Sequence, residues 1–218
     1  MTNILDIIGP IMIGPSSSHT AGAARLGKLA LRILEEKVTS AEILLYGSFA
    51  RTYLGHGTHL AILGGLLGFD PDDARIRDAD RLAREEFTYS IIPVLEESVA
   101  HPNAVRLRLK GEHEHLELTG ISIGGGRVVV TEIDRFTVRI DGESVMLVVH
   151  SLDQPGVITK LTALIAEDGV NIGNMNVSRQ SKGASVVMTL ESDSPISPAT
   201  LVRLRAITGV QKITQIIP

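Results

Sequence analysis

The chain has 218 residues, of which 44% are hydrophobic and 21% charged, and it contains no cysteine. Its 21 lysines and arginines against 25 aspartates and glutamates give a formal net charge of −4, which argues against a nucleic-acid-binding surface. The missing cysteines exclude disulfides, thiolate nucleophiles and any iron–sulfur cluster ligated by this chain alone. No apolar run reaches the roughly 20 residues that span a bilayer and no signal peptide is visible, so we expect a cytoplasmic protein that binds no membrane.

The pattern of apolar residues in the first 141 positions predicts helices followed by an antiparallel meander, an α+β arrangement. In chain order we predict a helix over 21–36, a strand over 42–49, helices over 58–69 and 71–87, and strands around 105–109, 116–118 and 128–133. The first helix has the clearest signal, because its apolar residues recur every three to four positions and leave a charged opposite face.

A second, self-contained pattern follows a tight turn at Asp141-Gly142-Glu143, so we predict a domain boundary between residues 141 and 142. We predict strands over 145–150, 172–179, 184–191 and 210–217, and helices over 156–168 and 198–207. The resulting order, β-α-β-β-α-β, is that of the ferredoxin-like or split βαβ fold. Residues 1–141 and 142–218 are therefore predicted to be separate domains.

A cluster of polar residues lies directly before the first predicted helix: Ser16, Ser17, Ser18, His19 and Thr20. The start of a helix exposes about four unpaired backbone N–H groups and a partial positive charge. Such a position suits a carboxylate or a phosphate. An ordinary N-cap would explain one of these hydroxyls but not four hydroxyls together with an imidazole, so the cluster indicates a binding site.

A second candidate is His56, which lies between Gly55 and Gly57 in a predicted turn. Flanking glycines allow the backbone to approach a ligand closely, and Thr58 is expected to cap the next helix. An exposed histidine in a glycine-rich connector is the alternative, and the spacing alone does not choose between them. The pattern matches neither a dinucleotide fingerprint nor, with His59, a zinc spacing, so we predict no metal site.

The glycines that follow Ser122, at positions 124–126, form the third candidate. Glycines between two strands are most often a hairpin turn or a bulge, although successive N–H groups can also form an anion-binding nest. His113 and His115 are expected on a solvated hairpin edge.

The second domain has one informative loop, which contains Asp153, Gln154 and Gly156 and precedes a helix. Gln154 and the helix N-terminus can receive an amino acid's carboxylate. We place this loop next to Asn171 and Ile172, which begin the following strand. A plain helix start and stop is the alternative explanation of both segments.

Taken together, the motifs at 7–10, 13–22, 47–49, 55–58 and 120–126 resemble the beta chain of the two-subunit, iron–sulfur-dependent bacterial L-serine dehydratase, or L-serine ammonia-lyase. Residues 145–218 look like the ACT domain that ends this chain. One position departs from the family pattern, because His59 stands where an aspartate is usual. The first region is also similar to the allosteric substrate-binding domain of some phosphoglycerate dehydrogenases, so its fold alone does not imply catalysis.

The resemblance implies conversion of L-serine to pyruvate and ammonia, in amino-acid catabolism and gluconeogenesis, with a [4Fe-4S] cluster held by a partner alpha chain. Because a split βαβ sheet has exposed edges that are commonly paired or covered, we also expect an ACT-mediated homodimer. His19 and His56 are the expected catalytic residues. The expected substrate-binding residues are Ser16, Ser17, Ser18, Thr20, Gly57, Thr58, Ser122, Gly124 and Gly125, and the expected effector-binding residues are Asp153, Gln154, Gly156, Asn171 and Ile172. A non-catalytic protein that senses serine is the alternative.

Overall fold

The computed structural model describes residues 10–96 and 101–218, and the chain divides into two units, 1–135 and 136–218. Residues 7–9 of the family motif lie outside the described residues. The division between the two units falls after residue 135, before the short strand that precedes Asp141, whereas the sequence pattern places the boundary after that strand. Within the described ranges, no helix is both long and apolar enough to cross a membrane.

The first unit combines helices with one mixed sheet, as the α+β prediction requires. Its described elements are a π-helical turn (Ser17–Ala21), α1 (Gly22–Leu34), β1 (Ser40–Tyr46), α2 (Gly47–His56), α3 (Thr58–Leu66), a 3-10 helix (Ala74–Asp78), α4 (Ala79–Glu86), β2 (Thr88–Val94), β3 (Ala104–Lys110), β4 (His115–Gly124) and β5 (Arg127–Ile133).

These strands lie in the order β2-β1-β3-β4-β5. β1 and β2 are parallel, while the other neighbouring pairs are antiparallel, so the predicted meander is confirmed. Every second side chain of β1, including Ile43 and Leu45, is fully buried. The opposite face carries charges, where Arg108 donates to Glu42 at 2.6 Å and to Glu117 at 2.8 Å. One face of the sheet therefore belongs to the core and the other is polar.

Two glycines bring the backbones of α1 and α3 into direct contact. A Cβ atom at Gly65 would lie 2.1 Å from the carbonyl oxygen of Ala24, and one at Gly27 would lie 2.4 Å from that of Ile62. Glycine disfavours a helix by roughly 1 kcal/mol relative to alanine, so helix propensity alone argues against α3. The close crossing with α1 explains why a glycine occupies position 65 of α3.

The sequence prediction differs from the structure at two elements of the first unit. The predicted strand over 42–49 ends at Tyr46, because Gly47, at φ 53°, starts the unpredicted helix α2. The predicted helix over 71–87 is a 3-10 helix followed by α4, and the unpredicted strand β2 begins directly afterwards at Thr88.

The second unit follows the predicted order closely. Its elements are β6 (Phe136–Ile140), β7 (Val145–Leu152), α5 (Val157–Glu167), β8 (Ile172–Arg179), β9 (Ser185–Ser192), α6 (Pro198–Arg205) and β10 (Val210–Ile216). The strand order β10-β7-β9-β8, with antiparallel neighbours, is that of a ferredoxin-like sheet, so this fold is confirmed. Its core joins β7 and β9 to both helices through residues such as Leu147, Leu161, Met188 and Leu204.

Candidate functional site

Two of the predicted polar clusters meet beyond the C-terminal end of β1, at one end of the strands of the first sheet. The rings of His19 and His56 lie 4.7 Å apart between centroids and are tilted by 34°. The Thr20 hydroxyl donates a hydrogen bond to the carbonyl oxygen of His56 at 3.2 Å. The structure therefore joins the serine-rich segment to the glycine-flanked histidine, as the prediction of a common site requires.

The π-helical turn sets the position of His19. Ser16 is the N-cap, with extended backbone angles, and its hydroxyl accepts a hydrogen bond from the backbone N–H of His19 at 3.2 Å. The N–H of Gly22 then donates to the carbonyl of Ser17, five residues earlier, which gives this turn one residue more than an α-helical turn would hold. α1 continues from Gly22, so His19 and the serines lie in the first turn of a longer helix.

Both ring nitrogens of His19 lie near hydroxyl groups. Nδ1 is 3.3 Å from Ser16 Oγ and Nε2 is 2.9 Å from Ser48 Oγ. The rings of His19 and Phe49 pack in an edge-to-face arrangement, with 5.2 Å between their centroids. Ser48 was not predicted as a site residue, although it lies in the 47–49 motif that carries the family resemblance. Its own backbone N–H is held by the carbonyl of Pro102 at 2.6 Å, so Ser48 is placed by the segment that precedes β3.

The environment of His19 favours a neutral imidazole. Burial, with a smaller contribution from the charge of His56, lowers the pKa of His19 from its usual value, because a partly buried imidazolium loses hydration. His56 Nδ1 is buried and has no hydrogen-bond partner. Buried polar atoms in native proteins nearly always have a partner, so the unpartnered nitrogen of His56 is an exception that a functional role would explain.

Thr58 and Ser122 contribute two further buried hydroxyls without partners. The prediction that Thr58 caps the next helix is wrong, because Gly57, at φ 65°, occupies the cap and Thr58 is the first residue of α3. The Ser122 hydroxyl lies over the start of α1, where a Cβ atom at Gly22 would approach within 2.2 Å of it. Both hydroxyls thus lie beside the helix ends that carry the histidines.

The glycines at 124–126 form a hairpin turn. All three have positive φ angles, of 98°, 62° and 78°, and Gly124 pairs with Arg127. A two-residue loop with positive φ at both positions has the signature of a type I′ turn, whereas a nest alternates between right- and left-handed residues. The hairpin interpretation is confirmed. The Arg25 guanidinium donates to the carbonyl of Gly126 at 2.9 Å, which ties this turn to α1.

The remaining histidines of interest lie apart from this pair. His59 Nδ1 lies 3.1 Å from the carbonyl oxygen of Tyr53, so the residue that replaces the family's aspartate has a structural contact. His113 lies in the β3–β4 turn, at the opposite end of the strands. Its ring is exposed, and its Nδ1 lies 3.2 Å from a carboxylate oxygen of Glu36. His115 is also exposed. The predicted solvated turn is therefore observed.

The residues of this chain do not fit an iron–sulfur cluster. The sequence has no cysteine, and within residues 10–96 and 101–218 no three histidine, aspartate or glutamate side chains are grouped as a metal site would require. Thiolates are the usual ligands of such clusters. Any cluster that acts with this chain must be bound by another polypeptide.

Two cavities of the described residues lie away from the histidine pair. A cavity of about 630 Å³ lies on the polar face of the sheet, lined by residues such as Glu42, Arg108 and His115. A second, of about 460 Å³, is lined by Leu66, Phe69 and other residues near α1, α3 and α4. Neither is lined by His19 or His56. Hydrogen bonds and unpartnered polar atoms are therefore the features that define the candidate site.

In the second unit, the two segments expected to bind an effector lie at opposite ends of the sheet. β7 and β8 are both antiparallel to β9, and Val145 and Ile172 are both paired with Ser192. Asp153 follows the far end of β7, so a strand length, about 25 Å for eight residues, separates it from Asn171. The prediction that these loops are adjacent is wrong within one copy, because parallel strands start at the same end.

Each of these loops is held by its own local contacts. Asp153 accepts hydrogen bonds from the Gly183 N–H at 3.0 Å and from Arg179 at 3.1 Å, and these contacts, led by that of Gly183, lower the pKa of its carboxyl group. Asn171 donates to Asp193 at 2.9 Å. Gln154 and Gly156 are exposed, and Ile172 is half-buried. Gln154 therefore remains the accessible polar side chain of the first loop.

Comparison with known proteins gives a consistent result. Residues 3–99 match the family model described as serine dehydratase beta chain. A Bacillus subtilis protein named "Probable L-serine dehydratase, beta chain" is 41% identical over 215 residues, which cover 98% of this chain and 97% of that protein. "L-serine dehydratase 2" of Escherichia coli is 33% identical over 156 residues, which cover 61% of this chain but 34% of that protein.

Among solved structures, the chain is similar to the ACT domain of a GTP pyrophosphokinase from Chlorobium tepidum. The sequences are 17% identical, the TM-score is 0.27, and the match covers 34% of this chain and 96% of that one.

Proposed function

This chain belongs to the family of L-serine dehydratase beta chains, and from that membership we propose that it acts with an alpha chain to convert L-serine to pyruvate and ammonia. The names of its relatives support an enzyme subunit over the non-catalytic sensor. The observation that supports a direct role for this chain is the pairing of His19 and His56 at 4.7 Å, beside unpartnered polar atoms.

The substrate carboxylate is proposed to bind at the start of the helix that begins with the π-helical turn. The first backbone N–H groups of a helix have no partner inside it and carry partial positive charge. Ser17 and Ser18 are half-buried there, and their hydroxyls can donate to a carboxylate. Ser16 and Thr20 are engaged with His19 and with the His56 carbonyl, so we assign them to positioning the histidines rather than to binding the substrate.

The histidines are proposed to orient the substrate or to transfer protons. Deamination of serine removes the α-proton and the hydroxyl group, and imidazole is suited to such transfers because its pKa lies near neutrality. The lowered pKa of His19 favours the neutral ring that a base requires. We assign His56, whose buried Nδ1 has no protein partner, to a hydrogen bond with the substrate.

We assign the [4Fe-4S] cluster to the alpha chain, because this chain offers no ligands for it. The isolated 218-residue chain is therefore expected to be colourless, to bind no iron and to produce no pyruvate from serine. Its absorbance spectrum and iron content after anaerobic purification, with a pyruvate assay, check this expectation. A brown preparation of this chain alone that deaminates serine would contradict it.

The matching positive test is anaerobic co-expression with the cysteine-rich alpha chain. We expect serine-dependent pyruvate formation only when both chains are present. An assembled pair of chains with a loaded cluster that still forms no pyruvate would refute the proposed activity.

The second unit is proposed to pair with a second copy and to bind an amino acid at the contact. β8 is an edge strand of its sheet, and exposed edges are commonly paired or covered. Antiparallel pairing of two β8 strands would bring the Arg179 end of one copy, and with it Asp153, to the Asn171 end of the other. The two effector loops that one copy keeps apart would then lie together.

On this proposal the full chain is a dimer. Calorimetry with L-serine and other amino acids is expected to detect binding, and Gln154→Ala is expected to weaken it by about tenfold, the equivalent of ~1.4 kcal/mol. Thr159→Ala, an exposed position on α5, serves as the matched control. Absence of binding by any amino acid at concentrations that cover millimolar affinity would leave this unit a purely structural role.

A further inference from the structure

Both ring nitrogens of His19 face a hydroxyl group of this chain. Imidazole gives up and accepts protons at its two nitrogens, in the plane of the ring. Nδ1 lies 3.3 Å from Ser16 Oγ and Nε2 lies 2.9 Å from Ser48 Oγ, so a hydroxyl occupies each of these directions. In this arrangement, a proton that passes between His19 and a bound molecule passes through one of the two hydroxyls.

The two hydroxyls are not equivalent, because Ser16 is committed to the start of the helix. Its oxygen accepts a hydrogen bond from the backbone N–H of His19 at 3.2 Å, as the N-cap of the π-helical turn. Its carbonyl oxygen accepts another from the N–H of Thr20 at 2.8 Å. Movement of a cap hydroxyl away from the helix would leave a backbone donor without its partner. Ser16 is therefore suited to fixing the ring and poorly suited to exchanging protons with a ligand.

The Ser48 hydroxyl is less constrained. Among the described residues, His19 Nε2 is the hydrogen-bond partner found for Ser48 Oγ. A serine hydroxyl has one hydrogen to donate and two lone pairs that accept, so the contact with His19 leaves room for a second partner. Ser48 is half-buried rather than enclosed. Its oxygen is thus able to bond a ligand and His19 at the same time.

The backbone on both sides fixes the position of Ser48. Gly47 takes a positive φ of 53°, which lets β1 turn directly into α2. The N–H of Ser48 donates to the carbonyl oxygen of Pro102 at 2.6 Å, and the hydroxyl of Thr52 donates to the Ser48 carbonyl at 2.8 Å. A hydroxyl held in this way needs little reorganisation before it reacts.

The three side chains together have the geometry that activates a serine. In such sites the hydroxyl lies about 2.6–3.2 Å from a base, and a third group orients that base. Here Ser48 is the hydroxyl, His19 is the base, and Ser16 holds the other ring nitrogen. Burial lowers the pKa of His19, which favours the neutral ring that can accept a proton from Ser48.

We propose that Ser48 is a further catalytic residue, whose hydroxyl carries protons between the substrate and His19. When the α-C–H bond of serine breaks, its electron pair forms the carbon–carbon double bond as the substrate hydroxyl leaves. The α-proton passes to Ser48 Oγ while the proton of Ser48 passes to His19 Nε2. The reverse transfer delivers a proton to the leaving hydroxyl, which departs as water, so both residues end unchanged. This proposal rests on the proposed function, since it assigns to Ser48 a step of that reaction.

A double-mutant cycle on the assembled enzyme tests the relay, with Ser48→Ala, His19→Ala and the double variant. Residues that act as one unit lose their contribution together. Each single variant is therefore expected to lower kcat/KM by about 100-fold, and the double variant is expected to lower it no further. A loss of less than about tenfold with Ser48→Ala, or a double-variant loss equal to the product of the two single losses, would overturn the proposal.

Ser90→Ala is the matched control, since Ser90 is an exposed serine on β2 and its replacement removes a hydroxyl away from His19. We expect its kcat/KM to equal that of the unaltered enzyme, and all variants to keep the same circular dichroism spectrum. A loss with Ser90→Ala as large as that with Ser48→Ala would count against the relay.

Nitrogen-15 NMR of the imidazole rings in the isolated chain follows the contact without turnover. Ser48→Ala is expected to shift the Nε2 resonance of His19, whereas Ser90→Ala leaves it in place. An Nε2 resonance that Ser48→Ala does not move would refute the relay, whatever the activity. Failure of the unaltered pair of chains to form pyruvate would refute the proposed function and the relay with it, while additive losses in an active enzyme would refute the relay alone.

Discussion

Replacing His19 or His56 with alanine is expected to lower kcat/KM of the assembled enzyme on the order of 100-fold or more, if either ring transfers a proton. In the structure His19 is held by Ser16 and Ser48 through both ring nitrogens, so its loss removes the group that those hydroxyls orient. His56→Ala removes the buried nitrogen that has no protein partner. Initial-rate kinetics of pyruvate formation check both variants.

His113→Ala and His115→Ala are the matched controls, because both rings are exposed at the opposite end of the strands of the first sheet. Their kcat/KM values should equal that of the unaltered enzyme, and all four variants should keep the same circular dichroism spectrum. Losses in the controls as large as those at His19 and His56 would show that the site has been misplaced.

The largest expected effect on stability comes from Gly65→Ala. The added Cβ atom would lie 2.1 Å from the carbonyl oxygen of Ala24 and 2.7 Å from the backbone nitrogen of Lys28, and backbone atoms cannot rotate away as a side chain can. Overpacking of this kind destabilises by about 1–3 kcal/mol and occasionally more. We expect about 3 kcal/mol, which lowers the thermal midpoint by roughly 6–12 °C for a chain of this size.

Gly55→Ala provides the comparison for this substitution. Gly55 lies on α2, and a Cβ atom there would meet nothing within 4 Å. Alanine in a helix is preferred over glycine by about 0.5–1 kcal/mol, so this variant should be as stable as the original chain or slightly more stable. Thermal unfolding followed by circular dichroism measures both. Equal destabilisation by the two substitutions would refute the argument from the α1–α3 contact.

The second unit could be predicted closely from sequence because its signals are local. Pro198 at the first turn of α6 and the short apolar run of β9 define those elements without help from distant residues. In the first unit, β2 was missed because Pro93 lies inside it, and proline argues against a central strand. β2 lies at the sheet edge, where a missing N–H is tolerated. That position depends on the tertiary fold and not on the local pattern.

The candidate site shows the same division between local and distant information. His19 was predicted because helix-start chemistry can be recognised from adjacent residues. Ser48 was missed because its contact joins residues 29 positions apart and depends on the positive φ of Gly47. The two effector loops were wrongly placed together, although the predicted split βαβ fold makes β7 and β8 parallel and so sends these loops to opposite ends of the sheet.

Because of the π-helical turn, the direction of the His19 side chain depends on the number of residues in the serine run. α1 continues regularly from Gly22, so deletion of one serine can be absorbed by converting this turn to an ordinary α-helical one. Successive helical residues are rotated by about 100°, and that conversion would turn the imidazole of His19 away from Ser48 and His56. A single-residue deletion is therefore a route by which a related protein could keep this fold while losing its chemistry.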